Sequence, residues 1–194
     1  MICNLQHANS IIKKEKLEIL VVSYGGCCSN TLINALEKNG YKCRTAITRT
    51  ILGHCPLYVK CDIPVIYVYK NPILAFMSMK RRGERLWAKN QKKLSNNQNV
   101  KLSDDTLLQL MIRQFYSWTS HKQDNILFIR SEEIFSDNIV NKLSRFLKRK
   151  VKDFPILYKE PSSSIDNISK KYNHLFKKYK TEIDHINSFN TYEN

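Results

Sequence analysis

Two segments of this sequence place small, polar and cationic residues directly after short apolar runs. The first segment is GGCCSNT, residues 25–31, which follows LEILVVSY, and the second is KNP, residues 70–72, which follows VIYVY. Short apolar runs rich in β-branched side chains predict buried strands. We therefore expect each segment to lie where a strand ends and a helix begins.

The first segment predicts a phosphate-binding turn. Small residues before a helix direct several backbone N–H groups at one point, and the helix dipole adds positive potential there. Glycines allow positive φ and a close approach of the backbone, and the hydroxyl and amide side chains add donors. The Walker A pattern GxxxxGK[ST] is absent, and an ordinary tight turn is the alternative. The candidate phosphate ligands are Gly25, Gly26, Cys27, Cys28, Ser29, Asn30 and Thr31.

The second segment predicts a cation and a hydroxyl that bind another phosphate. Lys70 follows its strand, and Ser78 comes eight residues later in the sequence. Pro72 suits the first turn of a helix, so Ser78 would lie about two turns into that helix. The alternative is a lysine near a helix start and a serine without a functional role.

His54 is the candidate general base. It lies in the segment GHCP, upstream of VIYVY, and the near-neutral pKa of imidazole suits proton abstraction. A surface or structural histidine is the alternative. Glu132 and Glu133 are further ionisable candidates.

Together these segments resemble the PAPS-dependent sulfotransferase family. VVSYGGCCSNTLINAL resembles its 5′-phosphosulfate loop, and VIYVYKNPILAFMS resembles its 3′-phosphate motif, in which Arg-x-Pro is followed by a serine. GHCP resembles the segment Thr-His-x-Pro that carries the family's catalytic histidine. SWTSH, NILFIRSEEIF and LSRFLK resemble later segments in the family's order, so the resemblance covers roughly residues 17–150.

The resemblance implies an α/β fold in three layers, with a mostly parallel central sheet flanked by helices, as in nucleotide kinases. It implies PAPS (3′-phosphoadenosine 5′-phosphosulfate) as cofactor and 3′,5′-ADP as product. The implied reaction is transfer of a sulfuryl group to a hydroxyl or an amine, with His54 as the base. Donors around the 5′-phosphate would stabilise the leaving group.

The sequence departs from the family pattern at several places. Gly26 stands where the family has a cation, and Lys70 replaces the arginine of the 3′-phosphate motif, which keeps the charge but loses bidentate contact. Ser131 stands where a tyrosine contacts adenine. Three cations elsewhere could replace the missing one: Arg44, Arg49 and Lys60.

These departures leave three alternatives to an active sulfotransferase. The first is a catalytically degenerate protein of the same fold that binds a nucleotide or a partner. The second is a divergent P-loop kinase, against which the missing Lys-Ser/Thr pair counts. The third is a basic nucleic-acid binder that uses lysine clusters such as residues 148–150.

The organisation of the chain follows from its length and patterning. The 194 residues suit one domain, which we place at residues 17–194, after a flexible N-terminal segment at residues 1–16. Strands are expected at LEILVVSY, at residues 41–45, at VIYVY and at NILFIR, with helices between them. A polar insert is expected at about residues 88–104, and one long helix near the C-terminus.

Net charge and composition limit which binding partners and which cell compartment are expected. The formal net charge of +15 favours polyanionic partners, among them an anionic glycan as acceptor, although a small-molecule alcohol stays open. No apolar run reaches the roughly 20 residues that span a bilayer, and the N-terminus shows no signal sequence. We therefore expect a cytoplasmic protein whose six cysteines are free thiols.

Overall fold

The computed structural model describes residues 5–44, 52–82, 103–121, 123–152, 154 and 170–189. Its centre is a three-stranded sheet in the order β1-β2-β3, and both strand pairs are parallel. The strands are β1 (Leu20–Ser23), β2 (Val65–Tyr69) and β3 (Ile126–Arg130). Every residue of β1 and β2 is buried, as expected for strands covered on both faces. The expected α/β class with a parallel sheet is therefore confirmed.

Seven α-helices are described around this sheet. They are α1 (Leu5–Glu15), α2 (Ser29–Lys38), α3 (Pro72–Arg82), α4 (Asp104–Thr119), α5 (Ile139–Leu147), α6 (Asn173–Lys178) and α7 (Lys180–Ser188). Short 3₁₀ helices lie at Leu52–His54, Glu133–Phe135 and Lys170–Tyr172. Helices α3, α4 and α7 pack against one another. No helix in these described ranges is long and apolar enough to cross a membrane.

An aromatic cluster joins the sheet to α4. Tyr67, at the centre of β2, stacks on Trp118 with ring centroids 5.7 Å apart and meets Phe115 edge-on at 6.3 Å. On the next strand, Phe128 lies 5.8 Å from Tyr67. Trp118 also donates its indole N–H to the carbonyl of Cys55 at 3.2 Å. This contact holds the segment that contains His54 against α4.

Two helix boundaries carry residues suited to them. At the end of α2, Gly40 has φ 81°, and the amide of Tyr41 donates to the carbonyl of Leu36 at 3.1 Å, as in a Schellman motif. At the start of α4, the Ser103 hydroxyl accepts from the amide of Thr106 at 3.1 Å. Glycine and serine at these positions thus fix where the helices end and begin.

Three sequence expectations differ from the structure. Within the N-terminal segment expected to be flexible, Leu5–Glu15 forms α1, because Ala8, Ile11 and Ile12 share one buried face. Residues 41–44 are not a strand, although the carbonyl of Lys42 accepts from the Glu18 amide beside the start of β1. The single C-terminal helix is divided at Tyr179 into α6 and α7.

Two expectations fall partly outside the described residues. Of the polar insert expected at about residues 88–104, only 103 and 104 are described, and they start α4. Of the six cysteines, the five in the described ranges are free thiols.

The burial of α1 generates a stability prediction. Ile12 is 5% exposed, so Ile12→Ala should remove about 2–4 kcal/mol of unfolding free energy in urea titrations. Lys14→Ala, on the exposed side of the same helix, should change it by less than about 0.5 kcal/mol. Equal, near-zero effects would mean that α1 does not pack on the domain.

Candidate functional site

The turns at residues 25–31 and 70–72 lie next to each other at one edge of the sheet. Ser23, the last residue of β1, pairs with Val68, and β2 ends one residue later at Tyr69. Because the strands are parallel neighbours, the residues that follow them lie at the same, carboxyl-terminal edge. Ligands of open parallel sheets bind at that edge.

The side chain of Tyr24 links the two turns directly. Its hydroxyl accepts from the backbone amide of Lys70 at 2.8 Å and donates to the carbonyl of the same residue. Tyr24 is fully buried, and burial raises the pKa of its hydroxyl well above the ordinary value. The hydroxyl therefore stays protonated, and the backbone of Lys70 is fixed against the turn after β1.

The turn after β1 contains three residues with positive φ. These are Gly25 at 92°, Gly26 at 75° and Cys28 at 59°. A Cβ placed on Gly26 would lie 2.4 Å from the carbonyl oxygen of Ala75 in α3, closer than real side chains approach. Gly26 is therefore required by its packing on α3. No side chain fits at position 26, where the sulfotransferase pattern that the sequence resembles has a cation.

The N-terminus of α2 follows this turn without a side-chain cap. Cys28 occupies the cap position, makes no capping hydrogen bond with its side chain and is exposed. The Ser23 hydroxyl accepts from the Gly25 amide at 3.3 Å and donates to the Ser29 hydroxyl at 3.2 Å. This chain of hydrogen bonds sets the direction of the first turn of α2, whose N–H groups carry partial positive charge.

His54 is held at the end of β1. Its Nδ1 lies 2.8 Å from the carbonyl oxygen of Ser23. A carbonyl only accepts hydrogen bonds, so Nδ1 carries the proton and Nε2 of the neutral ring carries the lone pair. Burial lowers the pKa of His54, although the bond to Ser23 partly opposes that effect. The ring is therefore neutral at pH 7, with its basic nitrogen at Nε2.

His54 shares one small pocket with the start of α2 and with Arg44. The pocket is lined by nine residues: Leu20, Val21, Ser29, Asn30, Ile33, Cys43, Arg44, Gly53 and His54. The Arg44 guanidinium contacts Asn34 Oδ1 at 2.6 Å and Glu37 Oε2 at 3.1 Å, both on α2. The other two candidate replacement cations differ from it: Lys60 is exposed beyond the amino end of β2, and Arg49 lies outside the described residues. Arg44 therefore lines the same pocket as His54, with its guanidinium bound to the second half of α2.

The second turn, residues 70–72, leads directly into α3. Asn71 caps α3, because its Oδ1 accepts from the amides of Ile73 at 2.9 Å and Leu74 at 3.2 Å. Lys70 is half-buried just before this cap. Ser78 is half-buried on α3 six residues after Pro72, which places it roughly 9 Å along the helix axis.

Two groups near the site have structural roles. Glu133 accepts from the amide of Arg130 at 2.9 Å and pairs with Lys142 at 2.6 Å. Cys27 donates to the carbonyl of Gly25 at 3.1 Å, and burial raises the pKa of its thiol well above the ordinary value. A thiol held in this way is a poor nucleophile at neutral pH.

The site as a whole has two halves that meet at the turn after β1. On one side Gly26 packs on α3 and Tyr24 holds Lys70, and on the other side Ser29 and Asn30 face His54. No family model, curated protein or solved structure matches this chain. The function is therefore inferred from this geometry.

The packing of Gly26 generates a prediction with a matched control. Gly26→Ala should cost about 3 kcal/mol or more, because the new methyl group meets the backbone of α3 in addition to the strain of positive φ. Gly40→Ala has a similar φ of 81° but meets its nearest atom at 3.6 Å, so it should cost about 1 kcal/mol. Denaturant unfolding measures both, and equal costs would show that Gly26 is not packed on α3.

Proposed function

We propose that this protein transfers a sulfuryl group from PAPS to a hydroxyl or amine acceptor. The observation that carries the proposal is the direct link between two turns suited to anions, made by the Tyr24 hydroxyl and the backbone of Lys70. A nucleotide with phosphates at its 3′ and 5′ positions needs two anion sites a fixed distance apart. Two turns held together by Tyr24 would suit that requirement.

The donors present fit such a nucleotide. The N-terminus of α2 has no side-chain cap and supplies N–H groups and the hydroxyls of Ser29 and Thr31. Lys70 supplies a positive charge at the neighbouring turn. These residues would hold the two phosphate ends, and PAPS when bound supplies the activated sulfuryl group.

His54 would take the proton of the acceptor. Its Nε2 carries the lone pair because Nδ1 donates to Ser23, and its lowered pKa keeps that nitrogen unprotonated at neutral pH. Arg44 lines the same pocket, and its guanidinium, bound to Asn34 and Glu37 on α2, would supply positive charge there. This assigns to Arg44 the role that no side chain at Gly26 can fill.

A second candidate function is nucleotide binding without transfer. The observation that favours it is the exclusion of any side chain at Gly26 by the carbonyl of Ala75. Arg44 is also engaged by Glu37, which offsets part of its charge. Binding of 3′,5′-ADP without sulfuryl transfer from PAPS to any acceptor would support this candidate.

The cofactor assignment is tested by ligand-dependent thermal stability. At a 3′,5′-ADP concentration about 100 times Kd, binding should add about 2.7 kcal/mol of stability, whereas ATP should add much less. Lys70→Ala should abolish the shift, and Lys60→Ala, an exposed lysine beyond the other end of β2, should preserve it. A shift with ATP and none with 3′,5′-ADP would favour a kinase.

The base assignment is tested by the pH dependence of transfer. His54→Ala should bind 3′,5′-ADP like the parent but transfer sulfate about 10²–10⁴-fold more slowly. In the parent the rate should stay constant as the pH falls through about 6.5, and should drop only below the lowered pKa of His54. An unchanged rate in His54→Ala would remove this residue from the mechanism.

A further inference from the structure

Three basic segments that are distant in sequence meet at the edge of the sheet where the strands begin. They are residues 13–16, 38–42 and 148–152, which together carry nine lysines and arginines and one glutamate. All nine cationic side chains are exposed. We call this surface the basic edge. It lies at the end of β1 opposite to the turn that carries the proposed nucleotide site.

Backbone and side-chain contacts connect the three segments. Residues 13–16 lead to Glu18, whose amide donates to the carbonyl of Lys42 at 2.9 Å. Tyr41 lies under the guanidinium of Arg149, 4.8 Å from its ring centroid. The amide of Lys152 donates to Asn39 Oδ1 at 2.6 Å. The basic edge is therefore one continuous surface.

Helix dipoles account for only part of this charge. Each segment lies at the C-terminus of a helix, α1, α2 or α5, where cations are favoured. The dipole effect falls off within the last turn of a helix. Lys42, Lys150 and Lys152 lie beyond those turns, so capping does not explain them.

We propose that the basic edge binds the phosphate backbone of duplex nucleic acid without reading its sequence. Nine exposed cations suit the regular charges of two phosphate strands. Membrane insertion would need exposed apolar side chains, but Leu17, Ile19 and Val151 are buried. Single strands bind by stacking bases on aromatic rings, and Tyr41 is buried under Arg149. A duplex presents its phosphates in two regular rows and is bound through them without apolar or aromatic contacts.

The test is fluorescence anisotropy with a labelled DNA duplex over a range of salt concentrations. The variant Lys42→Gln/Lys150→Gln/Lys152→Gln should bind the duplex at least about tenfold more weakly at about 0.1 M salt. The slope of log K against log salt should become smaller by about 0.9 for each phosphate that the variant no longer neutralises. The control Lys171→Gln/Lys177→Gln/Lys180→Gln removes the same charge near and within α6 and α7 and should bind like the parent.

A second variant and three competing ligands complete the binding test. A second variant, Lys16→Gln/Lys42→Gln, should also weaken binding, and both variants should keep the parent's circular dichroism and melting temperature. An excess of 3′,5′-ADP should not displace the duplex. The proposal is overturned if the parent does not bind the duplex, or if the control loses as much affinity as the first variant. It is also overturned if a single strand binds more tightly, or if phosphatidylserine vesicles bind the edge and the duplex does not.

Discussion

The hydrogen bonds between the Tyr24 hydroxyl and the backbone of Lys70 are the interaction on which the candidate site depends. Parallel pairing of β1 and β2 brings the two turns to one edge, but pairing alone does not fix loops that follow the strands. A buried hydroxyl that both accepts and donates holds the second turn against the first. Since an unpaired buried hydroxyl is costly, the two turns cannot separate without a loss of stability.

A steric constraint determines where positive charge can lie in this site. Gly26 packs on the carbonyl of Ala75, so the turn after β1 carries no cation. Two cations lie on the elements around this turn: Lys70 just before α3, and Arg44, whose guanidinium binds Asn34 and Glu37 on α2. Ser23 joins this arrangement to His54, because its carbonyl fixes the imidazole tautomer. Small changes in this turn would therefore disturb both the packing and the proposed chemistry.

Local sequence signals predict much of the fold, and contacts between distant segments explain what they miss. Apolar runs predict all three strands, and Gly40 and Ser103 mark helix boundaries correctly because these signals act over a few residues. The burial of α1 depends on packing against the rest of the domain, which its polar sequence conceals. Likewise, turn chemistry indicates Ser29 and Lys70 as candidates, but the pocket that Arg44 and His54 both line arises only from folding. Nothing local distinguishes Arg44 from Lys60 or Arg49.

The most direct measurement of the central claim is a titration of the ¹⁵N-labelled protein with 3′,5′-ADP, followed by amide chemical shifts. The account predicts that the amides of residues 25–31 and of Lys70 shift together, with one shared dissociation constant. Shifts in only one of these turns, different constants for the two turns, or no shift in either would contradict the claim that they bind one nucleotide.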